Sequence, residues 1–92
     1  MKRSKNIYPR IKEMYSKNLE YCRSYLLNSR DKKAERNMMI FERYLFSSLS
    51  FHEVGEEFDL SRERIRQIVS KAQRMCCYPI KKKTGIDVRE KL

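Results

Sequence analysis

Glycine and proline are scarce in this sequence. Only two of each occur among its 92 residues. Because these two residue types punctuate turns and end helices, the chain has few natural breaks. Strand-like alternation of apolar and polar residues is also missing. These absences predict an all-α protein without internal repeats or a domain linker.

Side chains that bind metals or carry out chemistry are few as well. His52 is the only histidine, and Cys22, Cys76 and Cys77 show no CxxC spacing. We therefore expect no metal or other cofactor, a zinc site built from these four residues being the alternative. The odd cysteine count argues against a disulfide scaffold, and we interpret Cys22 and one of the adjacent pair as small buried hydrophobes.

The sequence also lacks a glycine-rich phosphate loop and a paired-carboxylate motif, so we do not expect an enzyme or a small-molecule substrate. No apolar run approaches the length of a membrane span. No apolar segment of signal-peptide type follows the basic start MKRSKN. We therefore expect a cytoplasmic protein with no membrane partner.

Positive charge is what the sequence has in excess. It contains 22 Lys and Arg against 12 Asp and Glu, which gives a formal net charge of +10. Between Arg62 and Lys83 there are eight basic residues and one acid, Glu63, whereas a simple solvated face is usually mixed in sign. This clustering favours a polyanionic partner, and a soluble surface with surplus lysine is the alternative.

Apolar residues at helical spacing predict four helices in one small domain. Asn28 and Ser29 mark the first break, and Ser50 opens a capping box with Glu53. We expect Pro79 to end the last helix. The predicted order is a polar arm over Lys2 to Tyr8, then helices over Pro9–Leu27, Arg30–Phe46, Phe51–Phe58 and Arg62–Cys77.

This order suggests three parts along the chain. Residues 1–29 form an arm and a helix that support the core or meet a partner. Residues 30–79 form a helix-turn-helix domain, and residues 80–92 form a basic polar tail.

The third and fourth helices satisfy the mechanical needs of a helix-turn-helix. Gly55 supplies a small residue where the two helices cross, and Asp59 tolerates the left-handed backbone of the turn. Ser61 is a natural cap for the fourth helix. Apolar residues at fitting offsets would fix both helices to a common core: Val54, Phe58, Leu60, Ile65, Ile68, Val69, Ala72 and Met75.

The opposite face of the fourth helix predicts a DNA reader. Arginine donates to guanine, glutamine pairs with adenine, and glutamate accepts from the cytosine amino group. Arg62, Glu63 and Gln67 have these properties in the N-terminal turns, the part of a recognition helix that reaches base edges. Lys71 and Arg74, further along, would meet phosphate.

The segment HEVGEEFDLSRERIRQIVSKAQRMCCYP strongly resembles region 4 of bacterial sigma factors of the sigma-70 family. Its most specific part is the RERIRQI string, and the preceding FERYLF is similar more loosely. The resemblance implies a small helical domain that binds double-stranded promoter DNA. It assigns base contacts to Arg62, Glu63 and Gln67, and backbone contacts to or beside Arg43, Ser61, Arg64 and Arg66.

The resemblance also implies a second partner, the flap of the RNA polymerase beta subunit. The alternative function is therefore a polymerase-binding protein that mimics or supplies region 4. Val69 and the Cys76-Cys77 pair replace charged residues of the family pattern. Residues 1–49 show no motif for melting promoter DNA, so we do not expect a complete sigma factor. Small standalone factors of this type often belong to phages or mobile elements of bacteria.

Overall fold

The all-α prediction is confirmed by a computed structural model that describes residues 10–88. Within that range the chain forms five helices and no strand. The predicted arm over Lys2 to Tyr8 and the predicted helix start at Pro9 lie outside the described residues. The helices are α1 (Ile11–Lys17), α2 (Leu19–Leu27), α3 (Ala34–Leu45), α4 (Phe51–Phe58) and α5 (Arg62–Thr84).

The first predicted helix is divided into α1 and α2 at Asn18. The backbone there leaves helical geometry, with φ −125° and ψ 36°. The Asn18 side-chain amide donates to the carbonyl of Met14 at 2.9 Å. A short polar side chain that bonds to nearby backbone competes with the hydrogen bonds of the helix. The spacing of apolar residues carries no information about such a bond, so it did not predict the break.

The helix predicted from Arg30 begins four residues later, at Ala34. Asp31 forms a turn before it, because its carboxylate accepts from the backbone N–H of Lys33 at 2.9 Å. The same carboxylate accepts from the Asn37 side chain at 3.1 Å. These bonds hold the segment before Ala34 in a turn instead of a helix.

The turn between α4 and α5 agrees with the sequence prediction. Ser50 and Glu53 form the reciprocal capping box at the start of α4. Asp59 closes α4 with a left-handed backbone, φ 56°. Ser61 caps α5 by accepting from the N–H of Arg64 at 3.1 Å. The end of α4 and the start of α5 are therefore both fixed by short polar residues.

Pro79 does not end the last helix, contrary to prediction. Helix α5 continues through it to Thr84 and closes on Gly85, which has a left-handed backbone. Proline removes one helical hydrogen bond, a loss that tertiary packing can offset. Pro79 and Ile80 are both buried in the core, and this burial explains why α5 continues past the proline. The boundary suggested between residues 79 and 80 therefore falls inside α5.

Helix α5 is the central element of the core, since α2, α3 and α4 all pack against it. Val54, Ile65 and Val69 are fully buried as expected, while Phe58, Leu60 and Met75 are partly buried. All three cysteines are buried, including both members of the adjacent pair, of which only one was expected inside. Val88 is also buried, so the segment after Pro79 is not wholly polar.

A polar junction joins the N-terminal helices to α3. The Arg23 guanidinium donates two hydrogen bonds of 2.7 Å to the Glu42 carboxylate. The buried Tyr15 hydroxyl donates to the same carboxylate at 2.6 Å. Arg23, followed by the Tyr15 hydroxyl, lowers the pKa of Glu42 despite its partial burial. Residues 10–27 are thereby attached to the helix-turn-helix as one body.

Gly55 on α4 lies against the turn that leads into α5. A Cβ at this position would lie 2.5 Å from the Leu60 carbonyl oxygen and 3.5 Å from the Ile65 side chain. The Leu60 N–H also donates to the Gly55 carbonyl at 2.8 Å. The turn therefore folds back on α4 so closely at Leu60 that a larger residue at position 55 would clash with its carbonyl, whereas the contact with Ile65 on α5 is an ordinary one.

Gly55→Ala is therefore expected to destabilise the fold. Overpacking a close contact costs about 1–3 kcal/mol, more than the ~1 kcal/mol that alanine contributes through helix propensity. Urea unfolding followed by circular dichroism measures the change. Glu56→Ala, at the exposed neighbouring position, is the matched control and should change stability little. A Gly55→Ala protein as stable as the parent would contradict the proposed role of this contact.

Candidate nucleic-acid interface

The N-terminal turn of α5 stands at the protein surface. Arg62, Glu63 and Arg64 are all exposed, while Ile65 one position later is fully buried. The Ser61 cap and the close contact of Gly55 with Leu60 fix where this turn emerges. The positive end of the helix dipole adds to the arginine charges, which favours an anionic partner here.

Ion pairing already orders part of this turn. The Arg66 guanidinium donates to both carboxylate oxygens of Glu63, with its Nε at 3.0 and 3.1 Å. This contact lowers the pKa of the Glu63 carboxyl, so the side chain stays ionised and remains a hydrogen-bond acceptor. One turn along, Arg64 donates to the Gln67 side-chain oxygen at 3.4 Å. Glu63 and Gln67, which are predicted to contact bases, are thus held by Arg66 and Arg64, which are predicted to contact the DNA backbone.

Arg43 lies on a different helix from the other candidate residues. From α3 its guanidinium forms two 2.8 Å hydrogen bonds with the Glu57 carboxylate on α4. The pair is about half exposed, at 50% for Arg43 and 40% for Glu57. Glu57 orients Arg43 but also neutralises it, so a phosphate must compete with a carboxylate for this arginine.

A groove of about 280 Å³ runs between α5 and the connection from α2 to α3. Arg64, Gln67, Lys71 and Arg74 line its α5 side. Across it lies Asp31, whose pKa is lowered first by the Lys33 backbone hydrogen bond and then by the charges of Lys71, Arg64 and Arg36. The groove is therefore basic on one wall and carries one carboxylate opposite.

The structure thus divides the predicted residues into three sets. Arg62, Glu63 and Arg66 stand in the N-terminal turns of α5, next to Ser61. Arg64, Gln67, Lys71 and Arg74 line the groove together. Arg43 is held apart by its bond to α4.

Two acids at the interface were not found from the sequence. Glu57 is separated from Arg43 by 14 positions and a turn, a spacing that carries no pairing signal. Asp31 did have a local signal, because an aspartate side chain commonly accepts a hydrogen bond from the backbone N–H two residues later and so favours a turn. Its place across the groove from Lys71 depends on how α2 and α3 pack.

Other kinds of site receive no support from the part of the chain that the structure describes. No group of three or more His, Cys, Asp or Glu side chains in residues 10–88 could hold a metal ion. Over the same range, no helix is both long and apolar enough to cross a membrane.

A capped turn between two crossed helices, with arginines on the exposed start of the second, defines a helix-turn-helix DNA-binding protein. Residues 34–75 match the family model of "Sigma-70, region 4". This stretch, from the start of α3 to the middle of α5, is a sigma-70 region 4-like domain. The family is one of DNA-binding domains in transcription, not of enzymes. No curated protein and no solved structure matched the chain.

Glu57→Gln is expected to tighten DNA binding, because it releases Arg43 for phosphate. Glu35→Gln, at an exposed acid on α3, changes the net charge equally and is the matched control. Fluorescence anisotropy with duplex DNA at low salt should show a gain of about two- to five-fold beyond that of the control, within the ~1 kcal/mol typical of exposed ion pairs. Equal gains in both variants would mean that the Arg43–Glu57 pair has no part in DNA binding.

Proposed function

We propose that this protein is a sequence-specific transcription regulator that inserts the start of α5 into the major groove of promoter-like DNA. The observation that carries the proposal is the exposed N-terminal turn of α5, fixed by the Ser61 cap and the close contact of Gly55 with Leu60. A helix placed in this way presents its first turns to base edges, whereas its apolar face stays on the core.

Base recognition is assigned to Arg62, Glu63 and Gln67. Arg62 has the donors for guanine, and Gln67 matches adenine. Glu63 is kept ionised by Arg66, so it can accept from the cytosine amino group. Exchange of the Arg66 contact for a base contact costs Glu63 little free energy, because the Glu63 side chain is 62% exposed and Arg66 is also open to solvent, at 41%.

Contacts to the DNA backbone are assigned to the remaining set. Ser61, Arg64 and Arg66 flank the base-reading positions, and Lys71 and Arg74 lie one and two turns further along α5. Arg43 approaches from α3. Such contacts hold the protein in register but carry no sequence information. We place this activity in the cytoplasm of a bacterial cell.

Arg62→Ala and Gln67→Ala should each weaken binding to the preferred site by roughly 1–3 kcal/mol and relax specificity at one base pair. Lys71→Ala is the matched comparison, since loss of a phosphate contact weakens all sequences alike and lowers the salt slope by about one. The measurement is selection from a random DNA pool, followed by titration of the selected site at several salt concentrations.

The assignment of the base-reading face is wrong if the Arg62→Ala and Gln67→Ala proteins select the same site with parental affinity. Circular dichroism of each variant confirms that the helices are intact. Because these side chains are exposed, the substitutions should leave the fold unchanged.

A second candidate function is binding to RNA polymerase at the beta flap, in place of region 4 of a sigma factor or as its supplement. The groove beside α5 supports it, because Leu26, Met38 and Met75 add apolar surface between its charged walls, where a protein side chain can pack. Co-purification with RNA polymerase, repeated in the presence of competing duplex DNA, tests this function. If the protein does not co-purify with RNA polymerase, this second function is excluded and the DNA-binding proposal is unaffected.

A further inference from the structure

A second basic surface lies outside the region 4-like domain. We call it the α2–α5 surface and define it by Tyr21 and Tyr25 on α2 and by Tyr78, Lys82 and Lys83 on α5. None of the five falls within the matched residues 34–75. Tyr78 is 60% exposed and Tyr25 is 38% exposed, so a partner can reach both side chains.

The side chains of this surface are ordered by contacts with one another. The rings of Tyr25 and Tyr78 lie 6.0 Å apart between centroids, tilted by 31°. The Lys82 ammonium stands 5.9 Å from the Tyr78 ring centre, and the Lys83 ammonium stands 5.0 Å from that of Tyr21. Cation–π contacts of this kind hold both ammonium groups at the protein surface. Because α5 continues past Pro79, Lys83 reaches the Tyr21 ring on α2, while Lys82 lies one turn after Tyr78 on α5 itself.

The α2–α5 surface is separate from the DNA-reading turn. Along the axis of α5, Tyr78 lies about 24 Å and Lys82 about 30 Å from Arg62, at a rise of ~1.5 Å per residue. The major groove is only ~8.5 Å deep, so a helix that enters it by its N-terminus carries the α2–α5 surface well outside the groove. A second partner therefore has room to bind while DNA is held.

Charge identifies the kind of partner. Neither residues 21–27 nor residues 74–84 contain an acid, and the latter segment ends with three consecutive lysines before Thr84. The whole chain carries a net charge of +10, which disfavours a second copy of itself on this surface. The complementary partner is anionic.

The arrangement of the rings favours protein over nucleic acid. Single strands bind by stacking bases on aromatic faces. Here an ammonium already stands over the Tyr78 and Tyr21 rings, where a base would stack. Phenol hydroxyls and ammonium groups are instead donors suited to carboxylates, and exposed tyrosine is enriched at protein interfaces.

We propose that the α2–α5 surface is a docking site for an acidic segment of a partner protein, with Tyr25 and Tyr78 as aromatic anchors whose hydroxyls donate hydrogen bonds and Lys82 and Lys83 as carboxylate ligands. The proposal is independent of the DNA site assigned above. It gives the N-terminal helices a function of their own, as a surface that the region 4-like domain alone does not supply.

The test uses the full chain labelled with ¹⁵N and three probes at one ionic strength. These are a peptide of alternating glutamate and phenylalanine, an oligothymidine single strand, and vesicles of anionic phospholipid. Amide chemical shifts locate each contact, and anisotropy measures the affinity. The peptide is expected to bind most tightly and to shift amides of residues 21–27 and 78–84 rather than those of 62–71.

Three double variants distinguish a built site from general charge attraction. Lys82→Gln with Lys83→Gln should weaken the peptide roughly ten-fold, as expected when charged contacts at a defined site are lost. Lys12→Gln with Lys32→Gln removes the same charge from exposed positions elsewhere and should have little effect. Tyr25→Ser with Tyr78→Ser should weaken the peptide by a similar factor, roughly ten-fold, since aromatic anchors dominate interface energetics. Selection of the preferred DNA site should be unchanged in all of them.

Three results would overturn the proposal. The first is tighter binding of the single strand or of the vesicles than of the peptide. The second is equal loss of peptide binding in the two lysine double variants. The third is peptide-induced shifts centred on Arg62 to Lys71. Each leaves the DNA-binding proposal standing, because site selection is measured separately.

Discussion

The close approach of the α4–α5 turn to Gly55 on α4 is the constraint on which this structure depends. Only a hydrogen fits between the Gly55 backbone and the Leu60 carbonyl. The left-handed Asp59 and the Ser61 cap then set the direction of α5. Every proposed contact with DNA bases is made by side chains on that helix, so a small change of the crossing angle would move all of them together.

Helix α5 combines three tasks along its 23 residues. Its buried face forms the centre of the core, its first turns carry the proposed base contacts, and its last turns carry the lysines of the α2–α5 surface. Ion pairs order the exposed arginines before any partner arrives, through Glu63 for Arg66 and Glu57 for Arg43. This ordering lowers the entropy lost on binding but makes each phosphate compete with a carboxylate.

The elements that sequence predicted well are those fixed by short-range chemistry. The capping box at Ser50, the turn at Asp59 and both bounds of α4 depend on residues within a few positions of each other. The predicted helix boundaries were wrong at Asn18 and Asp31. There a polar side chain bonds to nearby backbone and interrupts a helix that the spacing of apolar residues predicts to continue. The continuation past Pro79 was missed for another reason, because proline's usual role as a helix end was offset by burial of Pro79 and Ile80.

The sequence by itself determined the helical class, the helix-turn-helix and the residue types on the exposed start of α5, because each is encoded by local spacing. Tertiary structure alone decided the pairing of Arg43 with Glu57, the position of Asp31 across the groove, and the meeting of Lys83 with Tyr21. These pairs join residues far apart in the chain. Their proximity depends on the packing of α2, α3 and α4 around α5, which no local pattern specifies.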